Sequence, residues 1–127
     1  MYSHNMVGAD DLEAAKTFYD AVFTAVGGKA GTAHPEKPRV TYNFKDNVYI
    51  VTRPINGEPA TVANGNTIGF AMDNPEQCHA WHEAGLAAGG TACEDPPGPR
   101  DFGGMKLYLA YLRDPTGHKL CALHVMG

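Results

Sequence analysis

Cysteine is scarce in this sequence, and the three that occur, at positions 78, 93 and 121, lie far apart. An odd number of widely spaced cysteines excludes a disulfide framework and lacks the paired spacing of a zinc finger. Reduced thiols in a cytoplasmic protein are therefore the expected state. Long apolar runs are also lacking, and the first few residues lead directly into a strand pattern. We expect neither a membrane-spanning segment, which needs about 20 apolar residues, nor a signal peptide.

Basic residues are outnumbered, with 10 Lys and Arg against 14 Asp and Glu, and they form no run. The resulting net charge of -4 argues against nucleic acid and against an anionic membrane surface as partners. What the chain does have is 127 residues, of which 43% are hydrophobic. That is enough for a sizeable core, and we expect residues 1–127 to form a single domain.

Two double-glycine pairs, Gly27-Gly28 and Gly89-Gly90, divide the sequence into similar halves. Each pair ends a helical pattern; the first helix opens at Asp10-Asp11, and the second follows Asn74-Pro75, a cap with proline in the first turn. A strand pattern precedes each helix, and two or three strands follow it. We expect module 1 at about 1–56, a linker at about 54–65 and module 2 at about 66–127. One helix cannot cover both faces of a module's sheet, so the two modules should pack together.

A long hairpin ends the chain. Its turn is Asp114-Pro115-Thr116-Gly117, a sequence typical of a type I turn, and its second strand runs from Lys119 to Val125. Alternation from the turn predicts which residues face the cavity of the protein: Lys119, Cys121, Leu123 and Val125. We expect the Gly/Pro-rich segment 95–104, which precedes the hairpin, to be a loop over the mouth of that cavity.

Three runs of the sequence carry a resemblance to a known family: SHNMVGADDLEAAKTFYD at 3–20, AWHEAGLAAGG at 80–90 and YLRDPTGHKL at 111–120. Together they resemble the vicinal oxygen chelate superfamily, which includes glyoxalase I, extradiol dioxygenases and the bleomycin and fosfomycin resistance proteins. The resemblance implies an α+β fold in which two tandem βαβββ modules form one curved mixed sheet around a cleft. It also implies a homodimer.

Metal-using members of that superfamily hold a divalent ion with His and Glu side chains from the first and last strands of each module. The resemblance places His4 at the first of these positions, but Thr67 stands where a metal-binding relative has His, and Cys121 where it has Glu. The closing strand of module 1 offers no ligand. A catalytic metal needs about three protein ligands, so we expect a degenerate site and no metal cofactor.

These residues predict a bleomycin resistance-like protein that binds a small organic molecule in a concave cleft. The side chains expected to line the cleft are His4, Thr67, Cys121, Tyr108 and Arg100, and no catalytic residue is assigned. The alternative is a metal-dependent lyase or dioxygenase that uses a non-standard site at His4, so the sequence leaves open whether the protein is an enzyme.

The remaining histidines are expected to serve no site. His79 and His82 are three residues apart on the second helix but lie away from the stripe marked by Trp81, which predicts a solvated face. His118 belongs to the hairpin turn and is expected to face solvent. His124 alternates opposite Cys121 and is expected to face the helices.

Overall fold

A computed structural model of the chain describes all residues from Met1 to Gly127. The elements of the first half are β1 His4–Gly8, α1 Leu12–Thr24, β2 Thr32–Ala33, β3 Arg39–Phe44 and β4 Asn47–Thr52. Those of the second half are β5 Ile68–Ala71, α2 Pro75–Ala87, β6 Thr91–Ala92, β7 Gly98–Phe102, β8 Met105–Arg113 and β9 Lys119–Val125. Residues 53–67 between the halves form no strand or helix. Neither helix is long and apolar enough to cross a membrane.

The two halves share one topology. Hydrogen bonds order the first sheet as β1-β4-β3-β2 and the second as β5-β9-β8-β6, with β7 also paired to β8. In each sheet the opening strand runs parallel to the closing strand, and the other pairs are antiparallel. The α+β class and the two βαβββ modules are confirmed. The expected single curved sheet is wrong in one respect: no hydrogen-bonded ladder joins β1 to β5, so there are two sheets.

Both helices begin where the sequence predicts a cap. The Asp11 carboxylate accepts a hydrogen bond from the Ala14 amide at 3.0 Å, and the Asn74 side chain accepts one from the Gln77 amide at 2.8 Å. Each bond satisfies an amide of the first turn that has no partner within the helix. Both helices end shortly before a glycine of positive φ, Gly27 or Gly89, a conformation that costs glycine little.

The two modules share one core, because α1 and α2 pack closely on the same side of the sheets. A Cβ atom added at Gly85 of α2 would lie 2.3 Å from Cδ1 of Leu112 and 3.1 Å from Cγ1 of Val22. Only glycine permits this approach. Trp81 is fully buried, as predicted, in a cluster of 20 buried residues drawn from both modules.

The hairpin turn also joins the modules. Oδ1 of the buried Asp114 accepts hydrogen bonds from the amides of Thr116, Gly117 and His118, and its Oδ2 accepts one from the Tyr19 hydroxyl of α1. The expectation that His118 faces solvent is wrong. This residue is only 7% exposed, and its Nε2 donates a 2.8 Å hydrogen bond to the carbonyl of Gly8 in β1. The turn is therefore fixed against module 1 at two points.

The segment expected to be a loop over the cavity, 95–104, contains a strand. Within it, β7 pairs with β8 in the register Gly98↔Leu109 and Arg100↔Leu107. Gly103 and Gly104, both of positive φ, form the tight turn between the two strands. Three prolines obscure this strand in the sequence, because proline is tolerated only where the ladder does not need its amide.

Candidate functional site

Cys121 lies on the face of the second sheet that the helices do not cover. Its neighbours in β9, Leu120 and Ala122, belong to the shared core, whereas Cys121 is buried outside that core. Cross-strand partners share a face, and Cys121 pairs with Gly69 on β5 and with Tyr111 on β8. The open face, as we call this surface, therefore includes Gly69, Ala71, Arg100, Leu107, Leu109, Tyr111, Arg113, Lys119, Cys121, Leu123 and Val125. The predicted orientation of β9 is confirmed.

Two cations stand at one end of the open face, where Arg113 pairs with Lys119 across the ladder. Nη1 of Arg113 donates a 2.8 Å hydrogen bond to the Gly117 carbonyl of the turn. Nζ of Lys119 forms an ion pair with Glu94 and lies 5.1 Å from the ring centre of Tyr111. The Glu94 carboxylate raises the pKa of Lys119, and Lys119 in turn lowers the pKa of Glu94. Both groups are therefore charged at neutral pH.

A cavity of about 510 Å³ lies between these cations and the linker. Thr67, a predicted ligand-binding residue, lines it together with Val62, Ala63, Asn64, Gly65, Asn66, Arg113 and Lys119. The lining includes two positive charges, one hydroxyl and two side-chain amides, and it includes no carboxylate. Thr67 and Lys119 line the same cavity. Cys121 is two residues from Lys119 along β9 and lies on the same face of the sheet.

The thiol of Cys121 is neutral at physiological pH. Burial raises its pKa to about 11, and the nearby Tyr111 and Lys119 only partly oppose that rise. A thiol is a weak nucleophile and a weak metal ligand, because both roles require the thiolate. In this environment Cys121 contributes a small apolar surface to the open face.

His4 belongs to the other sheet. Val7 and Ala9 of its strand are buried toward the helices, so His4 faces the opposite side, as predicted. The ring is exposed, with Nδ1 2.9 Å from Oγ of Ser3. The expected cluster of His4 with Thr67 and Cys121 is therefore divided between two sheets.

The donor set does not fit a catalytic metal of the kind that the family resemblance implies. No three His, Cys, Asp or Glu side chains of the chain come together closely enough to hold an ion. A catalytic zinc or iron site needs about three such ligands with one open position.

The two remaining predicted cleft residues lie on opposite faces of the second sheet, Arg100 on the open face and Tyr108 on the helix side. Tyr108 lies on the helix-facing side of β8, where its hydroxyl contacts Nε2 of His79 on α2, so the prediction that it lines the cleft is not met. Arg100 donates hydrogen bonds of 3.0 to 3.4 Å to four carbonyls of its own segment: Asp95, Pro96, Gly98 and Pro99. These hydrogen bonds fix the conformation of the segment that leads into β7.

Tyr111 and Arg113 were not among the side chains predicted to line the cleft. Alternation along β8 carries the signal that identifies them, because the tight turn at 114–117 places Arg113 opposite Lys119 and Tyr111 opposite Cys121. Counting back from the turn on the first strand, as well as forward on the second, selects Tyr111 for the open face and Tyr108 for the helix side.

A second, smaller cavity of about 210 Å³ lies between β1 and β5, which do not pair. Five aromatic rings contribute to its lining: Tyr2, Phe23, Phe44, Tyr49 and Phe70. None of the predicted site residues lines it. It is a gap between the edges of the two sheets and not a part of the open face.

Comparison with known proteins gives consistent results. The family profile described as the Glyoxalase/Bleomycin resistance protein/Dioxygenase superfamily matches residues 2–122. A glyoxalase/bleomycin resistance protein from Albidiferax ferrireducens T118 has 55% sequence identity and a TM-score of 0.90, with 98% of each chain covered. No curated protein matches the chain.

More distant structures share the fold. A lactoylglutathione lyase from Agrobacterium tumefaciens is 20% identical, with a TM-score of 0.65 over 98% of this chain and 92% of its own. A glyoxalase-related enzyme from Fulvimarina pelagi is 19% identical, with a TM-score of 0.71 over 98% of this chain and 87% of its own. At such identity the likeness extends to the fold alone. The profile match over nearly the whole chain, together with the βαβββ topology of both halves, shows that the chain belongs to the glyoxalase/bleomycin resistance protein/dioxygenase superfamily.

Proposed function

We propose that the protein binds a small organic molecule at the open face, in the cavity that Thr67, Arg113 and Lys119 line. The observation that carries this proposal is the cavity itself, whose volume of about 510 Å³ lies within the range of about 300 to 1,000 Å³ typical of ligand pockets. Tyr111 and Leu109 continue the surface away from the cations. A few polar groups beside an apolar surface are the usual composition of such a site.

Binding is a better account of this chain than metal-dependent lyase or dioxygenase chemistry. A non-standard metal site at His4 would need at least two further strong ligands, and the single chain brings none to it. Cys121, with its raised pKa, does not supply the missing thiolate. The function proposed here is therefore reversible capture of a ligand, with no reaction step assigned to any residue.

Two measurements test this proposal. Elemental analysis of the untagged protein should find less than stoichiometric metal, and titration of ¹⁵N-labelled protein with benzoate and with benzyl alcohol should shift the amide signals of Gly65, Thr67 and Tyr111. Stoichiometric metal that is lost in His4→Ala would favour the alternative function. A folded protein whose cavity amides respond to neither compound would contradict binding at this site.

We also propose that the protein is a homodimer. Each sheet ends in strands whose outer edge carries no strand partner, β2 in the first sheet and β6 and β7 in the second, and unpaired edges favour association. Large apolar side chains are also exposed on the sheets: Met6, Phe102, Met105 and Val125. Sedimentation at micromolar concentration should show a species near twice 13.6 kDa. A single 13.6 kDa species would refute the dimer.

A cytoplasmic location completes the proposal. It is supported by the three cysteines, all of which are free, and two of which are buried. Thiols of this kind persist in a reducing compartment. Cell fractionation with an antibody against the protein would test the location, and recovery in the periplasmic or secreted fraction would contradict it.

A further inference from the structure

We infer that the ligand of this cavity carries an anionic group, a carboxylate or a phosphate, held by Arg113 and Lys119. The inference rests on the proposed binding function and adds the chemical class of the ligand. The protein as a whole is acidic, with a net charge of -4, yet the cavity lining contains two cations and no carboxylate. A concave site of one charge sign concentrates ligands of the opposite sign.

Arg113 supplies a charge that no carboxylate of the chain neutralises. The ion pairs of the protein join Lys16 to Asp20, Lys45 to Asp73 and Lys119 to Glu94, and Arg113 takes part in none of them. Its one hydrogen bond, from Nη1 to the Gly117 carbonyl, orients the guanidinium group. The other N–H donors of this group remain available to a ligand. A planar fork fixed in this way suits the two oxygens of a carboxylate or a phosphate.

Lys119 supplies the second cation, and Glu94 is its internal competitor. The ammonium group is held between the Glu94 carboxylate and the ring of Tyr111, at the wall of the cavity. An incoming anion must share Lys119 with Glu94 or displace it. Glu94 therefore lowers the affinity of the site for anions, and its removal should have the opposite effect to removal of Arg113.

The rest of the site indicates an organic anion and not a bare inorganic ion. Thr67 and the amide side chains of Asn64 and Asn66 line the same cavity and offer hydrogen-bond donors near the cations. Beyond Lys119, the open face continues with the half-buried ring of Tyr111, whose centre lies 5.1 Å from Nζ of Lys119. A molecule with an anionic end and an apolar or aromatic body matches this order of groups.

The test compares compounds that differ in charge but little in shape. Benzoate, phenyl phosphate and benzyl alcohol are titrated at constant ionic strength into ¹⁵N-labelled protein, and the amides of Gly65, Asn66 and Thr67 report binding. We expect benzoate or phenyl phosphate to bind at least about tenfold more tightly than benzyl alcohol, since charge-assisted hydrogen bonds are the strong ones. Whichever of the two anions binds more tightly distinguishes a carboxylate ligand from a phosphate ligand.

Variants of opposite charge sharpen the test. Arg113→Gln should weaken binding of the better anion about tenfold, and Glu94→Gln should strengthen it. Arg53→Gln and Glu83→Gln are the matched controls, because they make the same charge changes at exposed positions outside the cavity. Circular dichroism verifies that each variant is folded.

Each outcome discriminates between the two proposals. If benzyl alcohol binds as tightly as the anions, and Arg113→Gln has no effect, the anionic ligand is refuted while the binding function stands. If the control variants alter affinity as much as Arg113→Gln and Glu94→Gln do, the effect is one of net charge, and the assignment to Arg113 and Lys119 fails. If no compound shifts the cavity amides of the folded protein, the binding function itself fails.

Discussion

The hydroxyl of Tyr19 on α1 donates a 2.6 Å hydrogen bond to Oδ2 of Asp114 in the turn between β8 and β9. The same hydroxyl accepts a 2.7 Å hydrogen bond from Tyr49 on β4. All three residues are buried, so this chain of hydrogen bonds crosses the interior from the first sheet to the hairpin that carries Arg113 and Lys119. Buried polar groups connected in this way define a unique packing but are costly to disconnect.

Tyr19→Phe should destabilise the protein by about 1 to 3 kcal/mol, because it leaves Oδ2 of Asp114 and the hydroxyl of Tyr49 each without a hydrogen-bond partner in the interior. Urea unfolding followed by fluorescence measures the change. Tyr2→Phe, at a residue that is 73% exposed, is the matched control and should change stability by less than about 0.5 kcal/mol. Equal stability of the two variants would show that the buried network does not hold the modules together.

The same network predicts loss of stability in alkaline solution. Burial raises the pKa of Tyr19 and of Tyr49 well above the ordinary value. The folded protein thus retains protons that the unfolded chain releases above about pH 10, so stability is full below that pH and falls as the pH rises beyond it. Each tyrosine contributes a slope of up to about 1.4 kcal/mol per pH unit.

Urea midpoints between about pH 9 and pH 11.5 measure this slope, which should be shallower in Tyr49→Phe than in the unchanged protein. Lysines also titrate in this range, but they do so in both proteins, and the comparison removes their contribution. A slope that is identical in the two proteins would mean that Tyr49 ionises freely in the folded state.

The helices and the final hairpin were predictable because their signals are local. Asp11 and Asn74 cap the helices within three residues of the amides they satisfy, and the turn at 114–117 sets the register of β9. The position of His118 was not predictable in this way. Its partner, the Gly8 carbonyl, is 110 residues away in the chain, and no pattern near the turn reports it.

The candidate site was predicted only in part, and the errors have physical causes. Cys121 and Thr67 follow from alternation and from the family resemblance, whereas Tyr108 was assigned to the wrong face of β8. The charged end of the site depends on contacts that bring Glu94, Lys119 and the linker together from three separate segments. Such contacts arise from the packing of the modules and leave no periodic signal in the sequence.

Gly85→Ala should destabilise the protein although alanine favours a helix more than glycine does. The added methyl group would lie 2.3 Å from Leu112, a fully buried side chain with no room to move. Overpacking of this kind costs about 1 to 3 kcal/mol. Over most of that range the cost exceeds the gain in helix propensity, which is about 1 kcal/mol. Thermal unfolding measures the change. Gly69→Ala, where no atom lies within 4 Å of the added carbon, is the control and should have little effect.

The three thiols should differ in reactivity with iodoacetamide. Cys93 is half-buried, whereas Cys78 and Cys121 are buried, and burial raises the pKa of both to about 11. At pH 8 only about one in a thousand such thiols is ionised, so Cys93 should be labelled first and the other two only when the protein unfolds. Peptide mass spectrometry follows each site. Rapid labelling of Cys121 in the folded protein would instead indicate an activated nucleophile.

His4→Ala should leave folding unchanged, with a loss of less than about 0.5 kcal/mol, because the imidazole is exposed and its one hydrogen-bond partner is the adjacent Ser3. Trp81→Ala is the contrasting variant. Trp81 is fully buried, and removal of its indole should cost about 3 to 5 kcal/mol through the void that remains. Thermal unfolding of the two variants side by side makes the comparison. If His4→Ala unfolds as readily as Trp81→Ala, His4 contributes to the core, and its assignment to the uncovered side of the first sheet fails.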